Sequence, residues 1–119
     1  MRVEDTATGK QPWYFTRADG EPMTFAGLWD EWKDKATGDV LKSCTMLITE
    51  PNDFVAEVHD RMPVVLEESQ FEDWMRGRPE LVAAMMKPYS GVIDIWEVGK
   101  DVGNVRYNKP ELLDRVALL

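Results

Sequence analysis

A chain of 119 residues, 44% of them hydrophobic and 30% charged, has the length of one ordinary domain and too much apolar material to stay disordered. It should bury roughly two thirds of the surface exposed on unfolding, so neither a disulfide nor a metal is needed to hold a core. With 14 basic against 22 acidic residues, a net of -8, nonspecific wrapping of nucleic acid by the whole surface is disfavoured, which still leaves room for a local basic site.

The first elements are aromatic and β-branched. Trp13-Tyr14-Phe15-Thr16 and Met23-Thr24-Phe25-Ala26 flank Ala18-Asp19-Gly20-Glu21, and Asp-Gly between two such runs predicts a hairpin. Gly27-Leu28-Trp29, the polar stretch from Lys33 to Asp39 and the alternating run Val40 to Ile48 predict a second hairpin or meander. Thr49 is positioned to cap a short helix with Pro51 in its first turn and Phe54, Val55 and Val58 on its apolar side, which delivers His59 at its end. Met62 to Leu66 reads as a short buried strand. Ser69-Gln70-Phe71-Glu72 has the form of a capping box ahead of Phe71, Trp74 and Met75 at helical spacing. Pro79 opens another helix with Leu81, Val82, Met85 and Met86, and Ile93-Asp94-Ile95-Trp96 alternates as a strand. Hairpins and short helices without βαβ alternation indicate one α+β unit with a mostly antiparallel sheet. Residues 51–80 hold three basic and eight acidic side chains, whereas Lys100, Arg106 and Lys109 form a loose basic group around a Gly-Asn turn.

The reactive inventory is small: one cysteine, Cys44, and one histidine, His59. A protein-built zinc or iron–sulfur centre needs three or four such ligands, so no metal or other cofactor is expected, and an intrachain disulfide is impossible. No run of 18 apolar residues suggests a membrane span and the polar start lacks a secretory signal, so the expected location is cytoplasmic. His59 stands in Val58-His59-Asp60-Arg61-Met62-Pro63. There a helix end and a neighbouring carboxylate favour imidazolium, and Arg61 offers an anion anchor. A lone histidine is also, and more commonly, an ordinary hydrogen-bonded surface or half-buried residue. Cys44 has no neighbouring cation and reads as a small buried hydrophobe. Among five tryptophans, Trp74 and Trp96 have core-like periodicity, while Trp29 and Trp32 are open to a base-stacking role. Asp30 and Glu31 read as solvated acids. Asn104 suits a turn with φ > 0 or a bond to a neighbouring loop.

Several runs then fall into one order. Lys10-Gln11-Pro12-Trp13-Tyr14-Phe15, Arg17-Ala18-Asp19-Gly20, Phe25-Ala26-Gly27-Leu28-Trp29, Cys44-Thr45-Met46-Leu47-Ile48-Thr49, the run from His59-Asp60-Arg61-Met62-Pro63 to Leu66, and Val102-Gly103-Asn104-Val105-Arg106 together resemble the SRAP (SOS response-associated peptidase) family from about Lys10 onward. The resemblance implies an incomplete SRAP-like fold, with an antiparallel sheet or distorted barrel-like core and short flanking helices. It implies recognition of abasic sites in single-stranded DNA and covalent capture of the ring-opened sugar. In the family, a cysteine exposed by autoproteolytic removal of the initiator methionine uses its amine and thiol to form a thiazolidine with the aldehyde, assisted by an asparagine and a glutamate. The histidine of His-Asp-Arg acts as acid–base residue, here His59. Thr49, Arg61 and Asn104 are the expected DNA contacts.

Two departures stand out. Residue 2 is Arg2 and Met-Cys-Gly-Arg occurs nowhere, so residues 1–119 read as the C-terminal part of a single SRAP-like domain, lacking the nucleophile, the asparagine and the glutamate. Ile48-Thr49 replaces a pair of threonines. The expectation is a chain that does not crosslink DNA alone and whose free strand edges call for a complementary N-terminal segment. The alternative is a noncatalytic protein- or DNA-binding module on the same scaffold, and the acidic segment 51–80 suits a protein partner better than DNA. A general cysteine protease is disfavoured by the setting of Cys44.

Overall fold

The computed structural model describes residues 3–6 and 9–117. The described residues divide into two compact units, each built from separate stretches of chain. One takes the residues up to Pro22, Pro51–Asp60 and those from Ser90 onward; the other takes Met23–Glu50 and Arg61–Tyr89.

The first unit is a three-stranded antiparallel sheet in the order β1 (Val3–Thr6), β2 (Gly9–Arg17), β9 (Ile93–Glu97). Register sets Trp13 opposite Glu97 and Tyr14 opposite Trp96, and the rings of that last pair lie 5.0 Å apart. Pro12 continues the ladder: its carbonyl accepts from Val98 N at 3.1 Å. Proline has no N–H to return the bond. The Gln11 side chain supplies it, Nε2 donating to Val98 O at 3.0 Å, so the Gln-Pro pair closes a ladder position that proline alone would leave open at a fully buried residue. The C-terminal stretch is tied to the far side of β9 by Val116 N to Glu97 O and by Trp96 Nε1 to Leu113 O at 2.8 Å. The one-turn helix α1 (Asp53–Ala56) buries Val55 and, just past it, Val58.

The second unit is organised around three residues that belong to no strand. Ala26 separates β3 (Thr24–Phe25) from β4 (Gly27–Lys33), Leu47 separates β5 (Val40–Met46) from β6 (Ile48–Thr49), and Val64 separates β7 (Met62–Pro63) from β8 (Val65–Leu66). Their backbones form a closed ring: Ala26 N donates to Val64 O at 2.8 Å, Val64 N to Leu47 O at 2.9 Å, and Leu47 N to Ala26 O at 3.0 Å. On leaving the ring each segment exchanges partners, giving the antiparallel pairs β3–β8, β4–β5 and β6–β7. Ala26 and Val64 are each 1% exposed. With Leu66 they meet Trp74 of α2 (Phe71–Arg76) and Met85 of α3 (Pro79–Met85) in the core of this unit. Gly77, at φ 67°, ends α2 in the left-handed region, and Pro79 starts α3 where its missing N–H costs nothing. Gly27 has a steric role, since a Cβ there would stand 3.0 Å from the Thr45 carbonyl oxygen. Its own carbonyl accepts from Trp74 Nε1 at 3.0 Å.

The α+β class and the antiparallel pairing are as expected. No sheet among the described residues closes into a barrel. The first expected hairpin does not form. Ala18–Gly20 is a turn, but β2 pairs with β1 and β9, and β3 pairs with β8, because the distant strands offer longer or more buried partners than the neighbouring run. In the turn, the Arg17 guanidinium and then the Glu21 backbone N–H hold the Asp19 carboxyl below its usual range. The second hairpin forms as β4–β5. The cap of α1 is Asn52, whose side chain accepts from Val55 N at 3.0 Å, and Thr49 lies instead in β6. The capping box is shifted upstream, Gln70 Oε1 accepting from Glu67 N at 2.8 Å.

Three substitutions test these bonds. Gln11→Leu leaves the buried Val98 carbonyl unpaired and should cost about 1–3 kcal/mol, read as a lower urea midpoint at unchanged slope. Trp74→Phe should cost a similar amount through Gly27, whereas Trp13→Phe should cost clearly less, since buried Trp13 Nε1 has no hydrogen-bond partner among the described residues.

Candidate functional site

The sequence brings His59 to the end of α1 through a short chain of local causes. Asn52 satisfies the first free N–H of the helix, Val55 and Val58 anchor its apolar side, and the Val55 carbonyl accepts from both Val58 N (2.9 Å) and His59 N (2.7 Å). The His59 backbone is therefore fixed by the helix rather than by a loop. Its side chain is 31% exposed, and Nδ1 lies 2.9 Å from Asp60 Oδ1. A carboxylate on Nδ1 orients the ring and fixes the tautomer with its proton on Nδ1. This is the arrangement of a general acid–base residue and its orienting partner. Sequence reading anticipated a neighbouring carboxylate; the geometry identifies it as Asp60, the residue directly after the histidine.

The other expected site residues divide between the units. Asn104 belongs to the first. It follows the 3-10 turn Lys100–Gly103, with φ -97°, not the positive value expected for it. Its Oδ1 accepts from Arg106 N at 3.0 Å and its carbonyl from Tyr107 N at 3.0 Å. The side-chain oxygen thus orders its own loop rather than a neighbouring one. In the basic group nearby, Lys109 Nζ sits 5.6 Å from the Tyr107 ring centre. Thr49 and Arg61 belong to the second unit. Thr49 pairs with Met62 in the β6–β7 ladder, and exposed Arg61 immediately precedes that pair. The structure therefore joins His59 to Asp60 within one unit, and brings Thr49 close to Arg61 within the other.

Cys44 is exposed, contrary to the expected buried thiol. It stands opposite Trp29 in the β4–β5 hairpin, whose strand residues are all exposed, so its alternating pattern meets no covering layer. Trp29 and Trp32 are 68% and 60% exposed. Glu31 pairs with Lys42 at 3.3 Å, a solvated acid as expected. Trp74 is a core residue, and Trp96 is half-buried. Among the described residues no group of three or more His, Cys, Asp or Glu side chains could hold a metal ion, and no helix is long and apolar enough to cross a membrane.

A family model described as SOS response associated peptidase (SRAP) matches residues 3–105. The abasic site processing protein YoaM of Bacillus subtilis is 34% identical over 96 residues, which cover 77% of this chain and 42% of YoaM. The abasic site processing protein YedK of Escherichia coli is 29% identical over 112 residues, 90% of this chain and 50% of its own. A crystal structure of a Bacteroides thetaiotaomicron protein superposes with a TM-score of 0.82 at 24% identity, covering 98% of this chain and 53% of that one, a likeness of fold. The chain spans half or less of the length of these two curated relatives.

Proposed function

As the chain belongs to the SRAP family, we propose that it is the C-terminal portion of a single SRAP-type domain that processes abasic sites in single-stranded DNA, with His59 as its acid–base residue. The His59–Asp60 pair carries this reading. An abasic sugar reacts through its open aldehyde. Protonated at Nε2, His59 delivers a proton to the ring oxygen as the C1–O4 bond breaks; the C1 hydroxyl passes its proton to a solvent water, and the aldehyde remains. Asp60 keeps the ring oriented through Nδ1 before and after transfer. Arg61 meets a backbone phosphate as a charge-assisted donor, and Thr49 and Asn104 supply neutral contacts.

Capture of the aldehyde needs an amine and a thiol on one residue. The amine attacks the carbonyl carbon and water leaves; the sulfur then adds to the imine carbon, and its proton passes to nitrogen. Residues 1–119 hold no counterpart of that cysteine: residue 2 is Arg2, and Cys44 lies inside β5, where its own nitrogen is a peptide amide. The 119-residue chain should therefore form no adduct with abasic single-stranded DNA, and intact-mass analysis showing one would overturn this assignment.

For the chain joined to the preceding portion of YoaM, His59→Gln should slow adduct formation by roughly 100-fold or more. Asp60→Asn should slow it by about tenfold, with noncovalent DNA affinity within twofold of the parent in both. An unchanged adduct rate in His59→Gln would remove His59 from the chemistry. The exposed Trp29 and Trp32 favour a second reading, a noncatalytic binding module. A salt-dependent fluorescence titration with intact single-stranded DNA separates the two, because stacking on these rings quenches their emission.

A further inference from the structure

The His59–Asp60 pair stands at the end of a helix too short to hold itself. An isolated helix needs about 12–15 residues before it persists in water, and α1 has four. It packs on β9, and Val55 and Val58, 5% and 4% exposed, anchor it there. Apolar burial places the turn but gives its first N–H groups no partner. Asn52 does that from an extended backbone, at φ -76° and ψ 175°. Its Oδ1 accepts from Val55 N at 3.0 Å, and its carbonyl accepts from Ala56 N at 2.9 Å. Val55, the residue gripped by the Asn52 side chain, in turn holds the His59 N–H on its own carbonyl at 2.7 Å. A single residue therefore separates the cap from the histidine.

That link bears on the imidazole because His59 and Asp60 are consecutive, and consecutive side chains on a helical turn do not ordinarily face each other. Their 2.9 Å contact between Nδ1 and Oδ1 lasts only while the main chain at these two residues keeps its present course, and the bond from His59 N to Val55 O is what holds that course. We propose that Asn52 is a positioning residue for His59: by closing the first turn of α1 it keeps Nδ1 against Asp60, and with it the ring proton on Nδ1. This rests on the reading of His59 as the acid–base residue and adds what sets its geometry. A cap that served stability alone would leave the imidazole indifferent to its loss, provided the chain stayed folded.

The test uses the untagged 119-residue chain, whose only imidazole is His59, so one pair of ring nitrogen signals reports it. Nitrogen-15 shifts at about pH 9, well above the usual histidine range, give the ratio of Nδ1–H to Nε2–H tautomers in the neutral ring. The parent should carry the proton mainly on Nδ1. Asn52→Ala should lower the ratio roughly threefold or more and speed exchange of the His59 amide roughly fivefold, the ordinary consequence of losing an Asn cap. Asn52→Ser, which restores an acceptor oxygen, should return both to near the parent values, and Asn52→Thr, a weaker cap that disturbs folding less than alanine, should fall between. Gln11→Leu, which weakens the same unit at β2, should leave the ratio unchanged. The proposal is overturned if the parent proton sits mainly on Nε2, if the ratio does not follow cap strength through serine, threonine and alanine, or if Gln11→Leu moves it as far as Asn52→Ala. No DNA enters these measurements. A parental ratio in Asn52→Ala removes Asn52 from the site and leaves the role of His59 to the adduct assay, whereas an unchanged adduct rate in His59→Gln removes that role whatever Asn52 does.

Discussion

The ring of backbone bonds among Ala26, Leu47 and Val64 is the constraint on which the second unit depends. Each of the three residues donates once and accepts once, so a buried three-way meeting of chains leaves no orphaned polar group on those atoms. Such groups would cost on the order of 1–3 kcal/mol apiece. The ring also explains the local sequence. Alanine occupies the position where three backbones converge, and Gly27 follows where a Cβ would press on the Thr45 carbonyl. Trp74 then covers the point from outside and bonds the Gly27 carbonyl. The Ala-Gly-Leu-Trp run, a sequence signature on first reading, thus has a steric cause at its first two residues, and its apolar remainder projects from the hairpin.

In the first unit a different economy serves the same end. The Gln11 amide replaces the N–H that Pro12 lacks, and so keeps β2 continuous against β9. Val55 and Val58 fix α1, and α1 fixes the His59 backbone. The proposed acid–base pair consequently stands on hydrogen-bonded main chain, with its orienting carboxylate on the adjacent residue. The orienting carboxylate is adjacent in sequence, and the fold sets its Oδ1 against Nδ1.

What was legible from the residues was local. Alternating runs marked β5 and β9, Asp-Gly marked a turn, and Pro79 marked a helix start. Pairing was not legible, because a turn between two strand-like runs says nothing of the more distant strands that compete for them; β2 and β3 each took one. The cap of α1 fell at Asn52 instead of Thr49, since both are competent caps and only the three-residue spacing to Val55 N distinguishes them. Burial of Cys44 was misjudged for a plain reason. Alternation shows which side chains share a face, but not whether anything lies over it. The site followed the same division, with His59 evident as the sole imidazole and Asp60's role dependent on coordinates. Gln11 could have been found earlier, since a proline inside a strand raises the question of which neighbour replaces its donor.

A linear ladder of hydrogen bonds can open from its ends, one pair at a time. A ring has no end. Freeing any one of the three segments at Ala26, Leu47 or Val64 breaks two of the three bonds together and strands their partners in a dry interior, while the strand pairs on either side lose the residue that holds them in line. Fraying one segment of the second unit therefore costs two of these bonds, whereas the outer reaches of the hairpin and the ends of the helices lie beyond the ring and open without that penalty.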